Sequence, residues 1–377
     1  MILTPEQELI RDSVRAYARE RLAPNAAQWD RDATFPREAL RGLAQMGLYG
    51  IAVAEEWGGA GMDYLSLALA VEEIAAGDAS TSTIISVNNL VTGILNGYGS
   101  QEQNERFLKP LASGSQLGCF CLTEPHVGSD ASAIRTTARR DGDHWVPNGV
   151  KQFITSGKNG DIAIVFAVSN PGGGKKGISA FIVPTATPGY VVTHIETKMG
   201  QHASDTAQIT FEGCRVPAAN LLGAKGEGYR IALSNLEGGR ISIAAQSVGI
   251  ARSAYEAALK YAHERTAFGK AIIGHQAVNF RLADIATRIE VARQMVWHAA
   301  TLRDARRPCL TEASMAKLFA SEMAEQVCSD AIQIHGGYGY VSDFPVERIY
   351  RDVRVCMIYE GASDIQRLLI GRTIAGE

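Results

Sequence analysis

The hydrophobic period of this chain changes twice, and that double change constrains its fold more than any other feature. Residues 1 to about 113 read as helices. Thr4-Pro5-Glu6-Gln7 is a helix start, with a Thr cap, Pro at the first helical position and Gln three residues after the cap. Ile10, Val14 and Tyr17 then fall on one face. Pro36 opens a second helix that Gly47 can close. Tyr64–Ala76 and Thr81–Asn96 are apolar helix candidates. Ser100-Gln101-Glu102-Gln103 repeats the capping pattern for a helix that Pro110 ends.

From about 114 to 225, short β-branched or aromatic runs alternate with turn signals. Strands are expected at Leu117–Leu122, Ile134–Arg140, His144–Val146, Lys151–Thr155, Ile162–Val168, Ser179–Val183, Val191–Ile195 and Ala207–Phe211. Asp141-Gly142 and Asn148-Gly149 read as hairpin turns. So many short strands suggest a small sandwich or barrel. From about 226 the helical period returns in long stretches: Ile231–Glu264, broken near Gly238-Gly239, then His275–Asp304 and Thr311–His335. The expected architecture is α+β and multi-domain: an N-terminal all-α domain over 1–113, a middle β-sandwich or barrel-like domain over 114–225, and a C-terminal four-helix bundle over 226–377.

Composition narrows the function. Lys plus Arg is 37 and Asp plus Glu is 40, a net charge of −3, which argues against a nucleic-acid surface. None of the six cysteines forms a Cys-x-x-Cys pair and no His cluster accompanies them, so neither a metal site nor a disulfide framework is expected. Cys119 and Cys121 share one strand face, where inert packing is the default, and reduced thiols suit an intracellular compartment. The N-terminus lacks a secretory signal, and the longest apolar stretch, Ile162–Val168, is far short of a membrane span. The expected location is therefore the cytoplasm of a bacterium, or the mitochondrial matrix for a processed eukaryotic chain. Gly-x-Gly-x-x-Gly and P-loop motifs are absent, so a nucleotide cofactor would bind without a Rossmann unit or P-loop. The 38 glycines exceed the usual ~7% and call for turns or close backbone approaches.

Three stretches carry candidate chemistry. In Phe120-Cys121-Leu122-Thr123-Glu124-Pro125-His126-Val127-Gly128-Ser129-Asp130 a strand ends and displays hydroxyls and backbone N–H groups, which suits flavin or phosphate contacts. An ordinary strand-to-loop turn has the same composition. In Lys151-Gln152-Phe153-Ile154-Thr155-Ser156-Gly157, alternation puts Phe153 and Thr155 on one face, an aromatic ring beside a hydroxyl. Such alternation is also normal strand composition. In Ile358-Tyr359-Glu360-Gly361-Ala362-Ser363-Asp364 a carboxylate sits among apolar residues on a turn, where desolvation would make it a usable base. The alternative is a surface Glu beside a helix cap, with Ser363 as N-cap.

Together, in this order and spacing, these stretches resemble the acyl-CoA dehydrogenase family along nearly the whole chain. Lys198-Met199-Gly200-Gln201, Arg215-Val216-Pro217, Glu264-Arg265-Thr266-Ala267-Phe268-Gly269-Lys270 with His275-Gln276, Gln333-Ile334-His335-Gly336-Gly337, Pro345-Val346-Glu347-Arg348 and Arg351-Asp352 match as well. The resemblance implies an FAD enzyme that dehydrogenates a short or short branched acyl-CoA to the trans-2-enoyl-CoA. Electrons would pass to an electron-transferring flavoprotein. Glu360 would be the catalytic base. Phe120, Leu122 and Thr123 would contact the flavin ring, Phe153 would stack on it, and Thr155 would bond its N5. Ser129 would serve an FAD phosphate or the substrate. Arg265, Phe268 and Gln276 would reach the FAD of a neighbouring subunit, and Gln333, Gly336 and Gly337 would contact the adenosine diphosphate of FAD. Ala362 and Asp364 fall among the FAD contacts, and Gly361, Glu237 and Arg240 near the substrate. For Glu237 and Arg240, a helix-start carboxylate and a structural ion pair are equally open readings. Cofactor sharing implies at least a dimer, and the family usually forms a tetramer built as a dimer of dimers.

Some relatives carry the base on the helix containing Glu237-Gly238-Gly239-Arg240; here that position is Gly239, so Glu360 is unopposed. One departure is Ala362, where the family usually has Thr or Ser, and it implies a lost hydroxyl contact and weaker FAD retention. Offshoots of the family are the alternative reading: an acyl-CoA oxidase, a nitroalkane oxidase or a desulfinase. Retained Glu360 argues against those that replace the base, and the length of 377 residues argues against two-bundle oxidases. A helical scaffold without catalysis would have lost Glu360, Thr155 or Gly336-Gly337.

Overall fold

Helix α1 (Pro5–Tyr17) begins where its capping signals put it. In the computed structural model, which describes residues 1–376, the Thr4 side chain accepts from Gln7 N–H and the Gln7 side chain accepts from Thr4 N–H. The chain then stays helical through a π turn at Ala18–Leu22 into α2 (Ala23–Asp32), which the periodicity did not predict. Pro24 accounts for the π turn. It cannot donate to Glu20, and its ring crowds that carbonyl. Ala23 N–H donates five residues back, to Ala18 O.

Pro110 acts in the same way and does not end its helix. The helix starting with α6 (Gln101–Gln103) makes a π turn at Asn104–Leu108, where Lys109 N–H donates to Asn104 O, and runs on as α7 (Lys109–Ala112). Between these pieces lie α3 (Arg37–Gln45), closed at Gly47, and α4 (Tyr64–Gly77) and α5 (Ala79–Tyr98). Helices α4 and α5 are buried around most of their circumference, hence their nearly continuous apolar and small residues.

The middle segment supplies β1 (Gly118–Cys121), β2 (Thr137–Asp141), β3 (His144–Thr155), β4 (Ile162–Val168), β5 (Ile178–Pro184), β6 (Tyr190–Ile195), β7 (Thr206–Phe211), β8 (Val216–Pro217) and β9 (Leu221–Leu222). The strand order is β6-β7-β3-β2-β4-β5-β9, with β1 parallel beside β4 and β8 beside β3. Only the last residue of β4 and of β5 escapes full burial. Ile162, Ile164 and Phe166 face α5, while Ala163 and Val165 face Ala207, Ile209 and Phe211 of β7. This two-layer packing is the expected sandwich.

Two details differ from the sequence reading. Strand β2 starts three residues late, because the Arg135 and Thr136 N–H groups donate to the Glu124 carboxylate instead of to a neighbouring strand. Asn148-Gly149 is no turn. Strand β3 pairs with β2 up to Asn148 and with β7 from Gly149 onward, so it crosses from one layer to the other. Gly149 has φ +144°, and a Cβ there would lie 2.6 Å from Thr136 Oγ1. The glycine serves a corner, not a reversal. Asp141 and His144 do pair across Gly142, as predicted.

Helix α8 (Gly228–Glu264) is continuous for 37 residues, without the break predicted at Gly238-Gly239. Both glycines are buried contact points: a Cβ on Gly238 would lie 2.7 Å from Tyr64 Oη, and one on Gly239 would collide with Glu360. A small hairpin, β10 (Thr266–Ala267) and β11 (Lys270–Ala271), leads to α9 (Gln276–Asp304), α10 (Leu310–His335), α11 (Val346–Val353) and α12 (Ser363–Ala375). Three helices of the bundle are long, and the fourth, α12, has 13 residues. One apolar core joins α1 and α3–α5 to α8–α11. Among the described residues no helix is long and apolar enough to cross a membrane, and no group of His, Cys, Asp and Glu could hold a metal. All six cysteines are free and buried.

Candidate active site

Glu360 stands on the turn before α12 with φ +53°, a left-handed conformation that is uncommon outside glycine. Three hydrogen bonds hold the turn there. Gln366 Nε2 donates to Glu360 O (3.1 Å) and Gly361 O (2.9 Å), and Lys317 Nζ donates to Gly361 O (2.8 Å). Glu360 Oε2 is shielded from solvent and has no hydrogen-bond partner. Burial pushes the carboxyl pKa up, against the pull of the Arg240 and Lys317 charges. Arg240 is buried as well, with Nε and Nη1 unpartnered. Burial lowers its pKa, and Glu360 and then Glu237 oppose that shift. Half-buried, with a solvent-shielded idle oxygen and the charges of Arg240 and Lys317 acting on it, the Glu360 carboxylate is equipped to take up a proton. The reading of Glu360 as a surface residue beside a Ser363 cap fails: Ala362 holds the N-cap position without a side-chain bond, and Ser363 is the first residue of α12.

A buried polar network lies behind this turn. Tyr359 Oη donates to Gln246 Oε1, Gln246 Nε2 donates to Thr83 Oγ1 (2.7 Å), and Thr83 donates to Gln201 Oε1 (2.7 Å). Gln201 N–H donates to Asp352 Oδ1. Burial, opposed by Arg348 and by that N–H, pushes Asp352 up to about 7. A Cβ on Gly200 would lie 2.5 Å from the Arg351 carbonyl, so the loop before Gln201 rests on the backbone of α11.

A second group forms where β1 ends. Lys151 is fully buried and donates to Glu124 Oε1 (2.8 Å) and Leu122 O (2.9 Å). Burial works against the charge on Glu124, but Lys151 and the N–H groups of Arg135 and Thr136 outweigh it and hold the pKa below the usual range. Gln152 N–H donates to Thr123 O (2.9 Å). These bonds fix Leu122 and Thr123 beside β3. The strand is bulged between Lys151 and Ile154, and Phe153 has φ +60° and is 62% exposed. From 151 to 156 only Phe153 and Thr155 reach the surface. Phe120 is half-buried, its ring packed 5.1 Å from that of Phe166. Ser129 is exposed just beyond the Glu124–Val127 bridge.

A third group lines a cavity of about 610 Å³ past the C-terminal end of α8, formed by Arg265, Gly336, Gly337, His335, Tyr261 and Tyr338. Phe268, on the nearby hairpin, is 96% exposed with φ +50°. Gln276 and Gln333 are exposed at the ends of α9 and α10. Among the described residues, no hydrogen bond joins this group to Phe153 and Thr155. Glu237 lies inside α8, not at a helix start, 3.8 Å from Arg303. Asp364 is exposed and pairs with Arg367 at 3.5 Å.

These surfaces suit the two ends of FAD. Gly336 and Gly337 leave open space where a Cβ would stand, beside the Arg265 guanidinium, as an anionic diphosphate requires. Phe153 and Thr155 offer an aromatic face and a hydroxyl to a planar heterocycle.

Three sequence models match the chain in succession: the acyl-CoA dehydrogenase N-terminal domain over residues 4–115, the middle domain over 119–214 and the C-terminal domain over 226–375. The chain belongs to the acyl-CoA dehydrogenase family. It is 46% identical to the mitochondrial short-chain specific acyl-CoA dehydrogenase of Rattus norvegicus over 98% of this chain and 90% of that one. The solved butyryl-CoA dehydrogenase of Megasphaera elsdenii superposes with a TM-score of 0.97, at 39% identity, over 100% of this chain and 99% of that one. A chain in the solved structure of an electron transferring flavoprotein of Acidaminococcus fermentans gives a TM-score of 0.99 at 44% identity, over the full length of both. Acyl-CoA dehydrogenases are FAD-dependent oxidoreductases that act on the CH–CH bond of acyl-CoA thioesters.

The sequence reading of this acyl-CoA dehydrogenase missed Lys317, Gln246, Lys151 and Glu124 as organisers of the site. Lys317 did leave a signal. It shares its helix face with Ala313, Ala316 and Ala320, a charge on an apolar stripe. Lys151 and Glu124 are 27 residues apart on different segments and leave no local pattern.

Proposed function

We propose that this enzyme is a short-chain acyl-CoA dehydrogenase, converting a short or short branched acyl-CoA to its trans-2-enoyl-CoA with Glu360 as the base. The observation that carries the reading is the idle, solvent-shielded Oε2 of Glu360 facing Gly239. The short-chain assignment draws on the rat and Megasphaera relatives. It also draws on Tyr359, Gln246 and Thr83, whose hydrogen-bonded side chains fill space behind the base.

Ionised Glu360 takes the α-proton of the thioester. Its burial favours the neutral acid that results, which strengthens it as a base. Glu360 N–H makes no hydrogen bond among the described residues, and the left-handed turn leaves it free to polarise the thioester carbonyl as enolate charge develops. Phe120, Leu122 and Thr123 would contact the flavin ring of FAD, Phe153 would stack on it and Thr155 would bond its N5, with Ser129 at the phosphate or substrate edge. Arg265, Phe268 and Gln276 would reach the FAD of a neighbouring subunit, and Gln333, Gly336 and Gly337 would contact the adenosine diphosphate. The exposure of Phe268 supports this sharing and with it a dimer-of-dimers tetramer. Ala362 and Asp364 border the cofactor, and Gly361, Glu237 and Arg240 border the substrate. FAD held by these residues would supply the acceptor for the β-hydrogen as hydride. An electron-transferring flavoprotein is the proposed acceptor, supported by the Acidaminococcus match. A bacterial cytoplasmic setting fits the cysteine chemistry.

The test is turnover of Glu360→Gln across straight and branched acyl-CoAs of C4 to C16 with an artificial acceptor. The variant is expected to keep FAD and lose activity by at least about 10³-fold, in the upper half of the 10²–10⁴ typical of a general acid–base group or above it. Comparable turnover in parent and variant removes Glu360 from the role, and a preference for C12 to C16 chains overturns the substrate assignment.

A further inference from the structure

The reaction as proposed leaves one buried cation without a role. Lys317 lies inside α10 and is fully buried on a stripe shared with the small apolar residues Ala313, Ala316 and Ala320. Burying a lysine is costly unless its charge is compensated. Its ammonium donates to one protein atom among the described residues, Gly361 O at 2.8 Å. That carbonyl belongs to the residue following Glu360. The Gln366 amide also donates to the same oxygen, at 2.9 Å. Two side chains from different helices thus converge on one carbonyl of a turn whose preceding residue is held at φ +53°.

We propose that Lys317 is a positioning residue for the dehydrogenation: it clamps the Glu360–Gly361 turn by the Gly361 carbonyl and sets a positive charge behind the base. The proposal rests on Glu360 being that base. Glu360 feels two cations, Arg240 from α8 and Lys317 from α10, and both favour its ionised form against burial. Lys317 in turn is pushed down to about 8 by burial, with Cys356, Glu360 and Glu322 opposing and Arg240 adding to the shift. It is therefore mostly cationic at neutral pH, where an ionised base is needed. The clamp aims the carboxylate and its N–H; the charge keeps the carboxylate deprotonated between turnovers.

Two variants separate this from a merely structural lysine. Lys317→Met keeps the length of the side chain but removes donor and charge, and Lys317→Arg keeps both. In Lys317→Met, kcat is expected to fall about 10²-fold with KM nearly unchanged, the size of effect that a misplaced catalytic group produces. The acid limb of the kcat profile should move to higher pH, and FAD content should be retained. Lys317→Arg should return the limb to its parental pH and recover most of kcat. An independent reading is the Glu360 carboxyl band in infrared difference spectra against Glu360→Gln. Its titration should move to higher pH in Lys317→Met. Parental kcat in Lys317→Met overturns the proposal, as does a loss of kcat with an unmoved limb that Lys317→Arg does not repair. If Lys317→Met does not fold, Lys317→Arg decides: a parental limb and titration support the proposal, and a displaced limb overturns it. Full turnover in Glu360→Gln sinks the base assignment itself. A dead Glu360→Gln beside an unaffected Lys317→Met sinks Lys317 alone.

Discussion

Gly239 of α8 and Glu360 of the turn before α12 occupy one shared space: a Cβ built on Gly239 collides with Glu360 Oε2. The colliding atom is the end of a flexible side chain, whereas Gly239 is locked inside a 37-residue helix. Glu360, not the helix, therefore yields. Gly239→Ala should fold with a melting temperature near the parent's and retain FAD, while kcat drops about 10²-fold because the base is displaced by about an ångström. Steady-state kinetics beside a thermal melt check this. A variant with unchanged kcat would show that the carboxylate has another productive position.

The same carboxylate links activity to stability. Burial raises its pKa, so the folded protein binds this proton more tightly than the unfolded chain does. Stability gains as pH falls through the raised pKa, and activity, which needs the ionised form, is lost in the same window. At pH 7 to 8 Glu360→Gln has no charge to bury. It should melt above the parent there and lose that advantage at acid pH. Calorimetry at several pH values tests the sign, and a variant less stable than the parent at neutral pH contradicts it.

Local signals and long-range contacts divide what could be read in advance. The Thr4 and Ser100 capping boxes are complete within four residues and were legible. So were the order of the three segments and the turn on which Glu360 stands, which lies in a motif. Gly149, Gly238 and Gly239 were read as turn or break because glycine signals punctuation only on average. Their actual purpose is set by Thr136, Tyr64 and Glu360, distant in sequence. The π turns before Pro24 and Pro110 required knowing that flanking packing would keep the helix going despite a missing donor. Bulging of β3 at Phe153 was likewise hidden, since alternation alone already gave that ring and Thr155 a common face.

Lys151 and Glu124 are both buried, and each satisfies the other. Replacing Lys151 by Met leaves the Glu124 carboxylate buried without its cation. The cost should be about 3–5 kcal/mol of stability, the range for breaking one half of a buried pair. Because Lys151 also holds Leu122 O, the same variant should release FAD more readily. Replacing both residues together, with Glu124→Gln added, should recover part of the stability. Chemical denaturation of the three proteins checks the order, and a Lys151→Met protein as stable as the parent rules out the pair as a structural anchor.

Ala362 occupies the N-cap of α12 and offers no side-chain acceptor there. A threonine at this position would supply a hydroxyl at the same place, and a hydroxyl has two possible uses. Capping the helix N-terminus would add about 0.5–2 kcal/mol to the stability of the protein with or without cofactor. Bonding to FAD would instead slow cofactor loss and leave the stability of the apoprotein unchanged. The departure of this chain from its family predicts the second effect: Ala362→Thr should lower the rate of FAD release measured by flavin fluorescence on dilution. An unchanged release rate with a more stable apoprotein would assign the hydroxyl to the helix, and Ala362 would then carry no consequence for the cofactor.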